Sequence, residues 1–312
     1  MAIPSTCIVA AGSSGKLAKN LGKRLRIPVV PVERTQFMNA EIRLRLQGPV
    51  DSKRCLLVAT FGKKLHEDIF ELMLLADLLR TSGAKEVSAV IPYFPYSRQH
   101  KGFRSGESES FGLLCRALLL SGISEVVTVD FHSEEALAAC PFPVSNISSL
   151  PYLAGLVKSR IEPDSAVAVS PDEGGRSRAE AFATAFGSPC TYVQKSRHRR
   201  EAHRITSAKL VRGSLVKGKI ALLIDDISTS GETLLRAARE CARHGAKAVE
   251  AIVVHPDMSP SAVKALNASP IRRIVVTNSL ELRAAGKKLS VIDITPLLRD
   301  VLSTRGRSAP AR

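Results

Sequence analysis

Residues 222–234 read LLIDDISTSGETL, and this stretch decides the fold class. Its apolar beginning, within the run Ile220–Ile224, is continuous rather than alternating, which is typical of a parallel strand buried on both faces. Two carboxylates, Asp225 and Asp226, follow the strand, and hydroxyl residues and Gly231 then lead into a helical pattern. A buried strand that passes through a short polar turn into a helix predicts an α/β protein with parallel sheets.

The same turn predicts a site for a phosphorylated sugar. Backbone N–H groups at the start of a helix have no partner within the helix and favour anions. Carboxylates at the end of the strand are able to accept hydrogen bonds from sugar hydroxyls. Helix capping explains one hydroxyl, but not two acids, three hydroxyls and a glycine in one loop. The residues predicted to bind the sugar phosphate are Asp225, Asp226, Ser228, Thr229, Ser230, Gly231 and Thr233.

Strands and helices alternate through both halves of the chain, which predicts two similar domains, each a parallel sheet flanked by helices. The predicted strands are Thr6–Ala11, Cys55–Ala59, Glu86–Ile91, Glu125–Val129, Ala166–Ser170, Ile220–Ile224, Lys247–Val254 and Ile271–Thr277. The predicted helices are Ser14–Leu25, His66–Ser82, Glu109–Ser121, Gly175–Phe186, Gly231–His244 and Ser259–Ala268. The domains are expected at 1–147 and 148–304, with a basic tail at 305–312. A duplication would explain the likeness of the halves, but βαβ units resemble one another in any case.

Composition limits the partners. The 312 residues are 45% hydrophobic and 24% charged, as in globular proteins, and the net charge of +16 favours anionic ligands such as nucleic acid, acidic membranes or phosphorylated small molecules. Tryptophan is absent and aromatic residues make up 4%, which disfavours stacking on single-stranded nucleic acid. We expect no specific nucleic acid and no membrane partner.

The six cysteines form no CxxC pair, and no signal peptide or apolar run of membrane length is present, so a cytoplasmic protein with reduced thiols is expected.

Residues 222–234 and four further stretches resemble elements of one family of enzymes. Residues 222–234 look like the phosphoribosyl-diphosphate-binding motif of type I phosphoribosyltransferase folds. Residues 91–99, IPYFPYSRQ, closely resemble the IPYxxYxRQ signature of the ribose-phosphate pyrophosphokinases. The stretches TVDFHS at 128–133, VSPDEGGRSRA at 169–179 and FMNAE at 37–41 resemble other elements of that family, in the family's order. Simple phosphoribosyltransferases are usually shorter and lack the motifs of the first half.

The resemblance implies transfer of the diphosphoryl group of ATP to the 1-hydroxyl of ribose 5-phosphate, in a homo-oligomer that uses Mg²⁺. It assigns ATP binding to Arg98, whose planar guanidinium suits phosphate oxygens, and to Gln99, whose amide suits a base edge. His132 and Asp172 would be Mg²⁺ ligands, although a structural histidine and a helix-capping aspartate are the alternatives. The remaining ATP-binding residues that it implies are Phe37, Asn39 and Glu41.

The basic segment Lys195–Arg204 is predicted to be a mobile loop. A run of charges is usually a solvated loop, but the family carries catalytic cations at this place. The resemblance implies that Lys195 and Arg197 stabilise charge on the transferred group. Arg199, Arg200 and Arg204 are weaker candidates for that role.

Some positions depart from the family pattern. Asn39 and Ala40 replace Asp and Gly, His100 replaces an Asp, Ser196 interrupts a Lys-Arg-Arg run, and Thr229 replaces an Asp. The chain is in these respects closer to the archaeal-type class, and nucleotide preference, phosphate activation and ADP inhibition stay open. A phosphoribosyltransferase and a non-catalytic regulatory paralogue are the two alternative functions.

Overall fold

The structure is a computed structural model that describes residues 6–101, 106–198 and 201–305, without the side chains of 195–198, 201–208 and 305. The first half contains β1 (Thr6–Gly12), α1 (Gly15–Leu25), β2 (Val32–Gln36), β3 (Ile42–Leu46), β4 (Arg54–Thr60), α2 (Leu65–Thr81), β5 (Glu86–Val90), α3 (Ser110–Leu120), β6 (Glu125–Val129), α4 (Glu134–Ala138) and β7 (Val144–Ile147). The second contains α5 (Leu150–Lys158), β8 (Ala166–Ser170), α6 (Arg176–Phe186), β9 (Cys190–His198), β10 (Glu201–Leu210), β11 (Ile220–Ile227), α7 (Glu232–Arg243), β12 (Ala248–His255), α8 (Pro260–Asn267), β13 (Ile271–Thr277), β14 (Leu289–Ile292) and α9 (Thr295–Arg305).

Each half forms its own sheet. The first has the order β1-β4-β5-β6-β7, and all of its pairings are parallel. The second has the order β10-β9-β8-β11-β12-β13-β14 and is parallel except for the antiparallel pair β9–β10. The fold class predicted from the sequence, α/β with parallel sheets, is confirmed.

The two sheets follow one plan. In the first sheet Val29 forms a parallel bridge with Ile8 of β1. In the second sheet β9 pairs in parallel with β8 at the corresponding edge. The antiparallel hairpin β2–β3 then follows in the first half, as β9–β10 does in the second. From β1 and β8 onwards the strands run in the same order, β4 corresponding to β11 and β7 to β14. This shared order favours duplication over a chance likeness of βαβ units.

Apolar runs build both cores. β8 and β11 pair through their buried middles, with Val169 opposite Leu223. In the first half Leu57 of β4 and Leu72 and Leu75 of α2 are fully buried in one cluster. Continuous burial on both faces of these strands is what helices on both sides of a parallel sheet produce.

The chain divides into two compact units, and the division is not linear in sequence. The first unit contains the chain up to Ile147, Ser279–Glu281 and the segment from Ile294, while the second contains Ser148–Asn278 and Leu282–Asp293. The sequence assigned 148–304 to one domain, whereas the structure groups α9 with the first unit.

The last helices explain this grouping. α9 follows β14 in the chain but packs against α1, and Arg24 Nε donates to Thr295 Oγ1 over 3.0 Å. In the same way α5 follows β7 but packs against α6 of the second unit. The helix that follows the final strand of each sheet therefore belongs to the other unit.

Candidate active site

The predicted sugar-phosphate turn lies at the carboxyl end of β11. This strand lies between β8 and β12, so Asp225 and Asp226 emerge at the middle of the parallel sheet. Ligands of open α/β sheets bind beyond the carboxyl ends of such strands. The fold therefore places the acid pair where a ligand site is expected.

Backbone contacts fix the turn on two sides. Ser228 N donates to His255 O over 3.3 Å, and Ser259 N donates to Thr229 O over 3.2 Å. Gly231 has φ +73°, and a Cβ at this residue would lie 3.1 Å from the Leu266 side chain. A side chain here is thus disfavoured both by the backbone conformation and by crowding.

The turn leaves its apex open. Ser228 is buried, whereas Thr229 and Ser230 are exposed and Thr233 is partly exposed. The Ser230 hydroxyl accepts a hydrogen bond from Glu232 N over 3.4 Å at the start of α7. Exposed hydroxyls and the first N–H groups of a twelve-residue helix thus lie together, an arrangement that suits a phosphate.

The two acids have different surroundings. Asp226 is 4% exposed and its Oδ2 lies 3.0 Å from Nη2 of Arg178, on α6. Asp225 Oδ1 accepts a hydrogen bond from the backbone N–H of Asp226 over 3.0 Å. Burial and then the charge of Asp226 raise the pKa of Asp225 well above its usual range, against the opposing effect of Arg178. Arg178 therefore belongs to the candidate site through its ion pair with Asp226, although the sequence singled out only the stretch that contains it.

Asp172 lies near this pair. Its charge also raises the pKa of Asp225, and its Oδ1 accepts a hydrogen bond from Gly175 N over 3.2 Å. Ser170 Oγ donates to the Asp172 carbonyl over 2.5 Å. Asp172 thus orders the β8–α6 turn, and its carboxylate faces the same end of the sheet as Asp225.

Carboxylate oxygens are ligands that suit Mg²⁺, which usually keeps several waters and binds through one or two carboxylates. Within the described parts of the chain, no three His, Cys, Asp or Glu side chains are placed together to hold a metal ion. The carboxylate of Asp172 is of the kind that would hold a partly hydrated Mg²⁺.

In the first unit the residues predicted to bind ATP lie on two turns. Phe37, Asn39 and Glu41 form the tip of the β2–β3 hairpin, where Phe37 N donates to Glu41 O over 2.8 Å and Glu41 N donates to Asn39 Oδ1 over 3.2 Å. Ala40 has φ +68°, which suits the glycine of the family pattern better than alanine. Arg43 lies over the half-exposed Phe37 ring, 5.7 Å from its centre.

The second turn presents Arg98 and Gln99. Phe94 and Ser97 of this turn are buried, whereas Arg98 and Gln99 are exposed. Tyr96 has φ +60°, and its hydroxyl lies 2.7 Å from Nε2 of His66 at the start of α2. The buried Phe94 and Ser97 thus fix the turn, while the exposed Arg98 and Gln99 are available to a ligand.

An aromatic cluster connects this turn to the turn of His132. The ring of Phe94 lies 5.4 Å from that of Phe111 on α3 and 5.7 Å from that of Phe131. His132 follows Phe131 directly and is exposed. The ends of the neighbouring strands β5 and β6 thus bring Arg98, Gln99 and His132 to one edge of the first sheet.

The basic segment differs from its prediction as a loop. The backbone of Lys195 and Arg197 belongs to β9 and pairs with Ala208 and Ile205 of β10. Backbone pairing has therefore overridden the charge pattern, and the segment is an antiparallel ribbon on each side of Arg199 and Arg200. Those two arginines lie outside the described residues, and Arg204 belongs to β10.

The two sheets share one strand order, and in the second sheet an acid pair is followed by a turn that suits a phosphate. These features define a protein built from phosphoribosyltransferase-type domains. Residues 6–122 match the N-terminal domain of ribose phosphate pyrophosphokinase, and residues 152–277 match the phosphoribosyl transferase domain. The chain belongs to the ribose-phosphate pyrophosphokinase family and is an enzyme of that kind. The match of the first half separates it from the simple phosphoribosyltransferases.

Relatives match over nearly the whole chain. The ribose-phosphate pyrophosphokinase of Thermosipho africanus is 29% identical over 296 residues, which are 95% of this chain and 92% of that protein. That of Methanothermobacter thermautotrophicus is 30% identical over 295 residues, 95% of this chain and 99% of the relative. The crystal structure of phosphoribosylpyrophosphate synthetase from Mycobacterium smegmatis superposes with a TM-score of 0.88 at 27% identity, covering 96% and 98% of the two chains. Within the described residues, no helix has the length and apolar character needed to cross a membrane.

Proposed function

We propose that the protein transfers the diphosphoryl group of ATP to the 1-hydroxyl of ribose 5-phosphate, giving 5-phospho-α-D-ribose 1-diphosphate and AMP. The observation that carries this proposal is the acid pair Asp225–Asp226 followed by the open turn 228–231. Carboxylates suit sugar hydroxyls and the free N–H groups at a helix start suit a phosphate, which supports ribose 5-phosphate as the ligand of this turn. The family of the chain supports the same pair of substrates.

The second unit positions the acceptor. Asp225 and Asp226 accept hydrogen bonds from ribose hydroxyls, and Ser228, Thr229, Ser230, Gly231 and Thr233 hold the 5-phosphate. The sugar's 1-hydroxyl loses its proton to solvent as its oxygen attacks the β-phosphorus of ATP in line. The bond from that phosphorus to the oxygen that bridges the α-phosphate breaks, and AMP leaves. Fixed geometry of this kind supplies much of the rate by orientation.

The first unit supplies the ATP residues. Arg98 binds phosphate oxygens, Gln99 binds the base edge, and Phe37, Asn39 and Glu41 complete the nucleotide site. Lys195 and Arg197 neutralise charge on the diphosphoryl group as it moves. Mg²⁺ held by His132 and Asp172 would neutralise phosphate charge. By its family, the active form would be a homo-oligomer.

The test is AMP release. Purified protein is incubated with ATP and Mg²⁺, with and without ribose 5-phosphate, and AMP is quantified by chromatography. We expect AMP only in the complete mixture, in equal amount to the phosphoribosyl diphosphate formed. AMP formation without the sugar phosphate would contradict the proposal, and so would the absence of AMP from the complete mixture.

A further inference from the structure

Two cysteines near the ATP side of the first unit lie within reach of one another. Cys115 lies on α3, Cys140 lies shortly after α4, and their Sγ atoms are 4.0 Å apart. Cys115 is fully buried, whereas Cys140 is partly exposed. Since a disulfide bond is about 2.05 Å long, the two sulfurs must approach by roughly 2 Å to bond. One partner is thus open to solvent and the other lies directly behind it.

The surroundings of the pair distinguish the two thiols. The hydrogen bond to Cys115 lowers the pKa of Cys140, and the same contact, together with burial, raises that of Cys115. Only the thiolate form of cysteine is an effective nucleophile. Cys140 is partly exposed whereas Cys115 is buried, so Cys140 is the thiol that an external disulfide reaches first, and Cys115 is the one that follows.

Other cysteines show why this pair is singled out. Cys7 and Cys55 are closer, with 3.3 Å between their sulfurs, but they face each other across β1 and β4 with no exposed surface. Cys190 is partly exposed, but burial raises its pKa to about 11. Cys241 is fully buried, and burial raises its pKa to about 12. Proximity to a second thiol and access to solvent coincide at Cys140.

We propose that Cys140 and Cys115 form a modification site for low-molecular-weight disulfides such as oxidised glutathione. The Cys140 thiolate attacks one sulfur of oxidised glutathione, the glutathione S–S bond breaks, and one glutathione thiolate leaves. Cys115 then loses its proton to solvent, and its sulfur attacks Cys140 Sγ, forming the Cys115–Cys140 bond and releasing the second glutathione. The two cysteines lose two electrons in total, and oxidised glutathione gains them.

The position of the pair gives the bond a consequence for the active site, which rests on the proposed function. Phe111, one helical turn before Cys115, packs against Phe94 and Phe131. α4 begins two residues after His132. A bond between α3 and the end of α4 therefore pulls on both turns of the ATP side. Oxidised protein is expected to release AMP more slowly, with full recovery in dithiothreitol.

The experiment uses the reduced full-length chain and oxidised glutathione. Thiols are counted after denaturation, and peptides are mapped by mass spectrometry. We expect the free thiols to fall from six to four, with Cys115 linked to Cys140. Preferential modification of Cys190, or a Cys7–Cys55 bond, would overturn the proposal.

Variants assign the order of the two steps. Cys115→Ser should stop at a single glutathione adduct on Cys140, whereas Cys140→Ser should keep all of its remaining thiols. Cys7→Ser, a matched buried control, should form the Cys115–Cys140 bond as the wild type does. Mapping of the wild type decides the chemistry even if a variant does not fold. This mapping does not depend on AMP release. A protein that forms the Cys115–Cys140 bond but releases no AMP would therefore contradict the proposed function and not the modification site.

Discussion

Arg178 and Asp226 form an ion pair beneath the candidate ribose 5-phosphate site, with 3.0 Å between Nη2 and Oδ2. The pair joins the first turn of α6 to the end of β11, so it connects the turn that contains Asp172 to the one that contains Asp225. Both side chains are largely buried, at 17% and 6% exposure. The contact therefore stabilises the fold at the candidate site.

Removal of the arginine should show both roles. Arg178→Ala leaves the buried Asp226 carboxylate without its cation, which costs about 3–5 kcal/mol when one member of a buried pair is removed. We expect a clear fall in the free energy of unfolding in urea, and weaker binding of ribose 5-phosphate by calorimetry. Arg176→Ala is the matched control, because Arg176 forms an exposed pair with Glu180 on the same helix and should change stability by less than about 1 kcal/mol. Equal effects of the two variants would contradict a special role for Arg178.

The acid pair should discriminate between the substrates. Asp225→Ala and Asp226→Ala are expected to weaken binding of ribose 5-phosphate far more than binding of ATP, because sugar hydroxyls lose their acceptors. Separate titrations of the two ligands measure this difference. A similar loss for both ligands would assign the acids to the metal or to the fold.

The raised pKa of Asp225 predicts a dependence of stability on pH. An acid whose folded-state pKa is raised binds more protons when folded, so its contribution to stability falls as the pH rises from about 3.9, the ordinary value for Asp, to the raised value. Asp225→Asn removes this penalty. The variant should be more stable than the wild type near pH 7.5, and the gain should shrink towards pH 4. Thermal unfolding at both pH values checks the sign, which a constant difference would contradict.

Lys195 should act mainly on turnover. If its cation stabilises the moving diphosphoryl group, Lys195→Ala lowers kcat by about 10²-fold or more and leaves the binding of both substrates almost unchanged. Lys209→Ala on the neighbouring strand β10 is a control, since Lys209 is exposed and pairs with Gln194. Steady-state kinetics with separate binding titrations decide the matter. Wild-type turnover of the Lys195 variant would move the role to the nearby arginines.

His66 should support the turn that presents Arg98. Its 2.7 Å contact with the Tyr96 hydroxyl holds a tyrosine at positive φ, and a hydrogen bond of this kind contributes about 0.5–1.5 kcal/mol. His66→Ala and Tyr96→Phe are each expected to raise KM for ATP by about two- to tenfold, without changing KM for ribose 5-phosphate. The double variant should lose no more than either single variant, whereas additive losses would show that the two side chains act independently.

Apolar periodicity predicted most of the parallel strands, because burial on both faces leaves a continuous apolar run. The bounds of β6, β8 and β13 agree with the sequence prediction. Only Lys195–Arg204, the part of the β9–β10 ribbon richest in charged residues, was predicted as a loop, because its pairing is made by backbone groups and leaves no apolar pattern. The β2–β3 hairpin was not predicted, although Ile42–Leu46 alternates apolar and basic residues.

The site was predictable in its motifs but not in its long-range contacts. The acid pair and its turn lie in one stretch of sequence, so spacing was sufficient. Arg178–Asp226 and Cys115–Cys140 join residues that are distant in the chain, and only the sheet order and helix packing bring each pair together.

The exchange of last helices also sets an order for biosynthesis. α9 comes after every strand of the second unit, yet it packs against α1 of the first. Domains generally fold in the order in which the ribosome makes them. Here the first unit stays incomplete on the ribosome until the second has been synthesised, so in a nascent chain that ends before Ile294 helix α1 lacks the helix that packs against it.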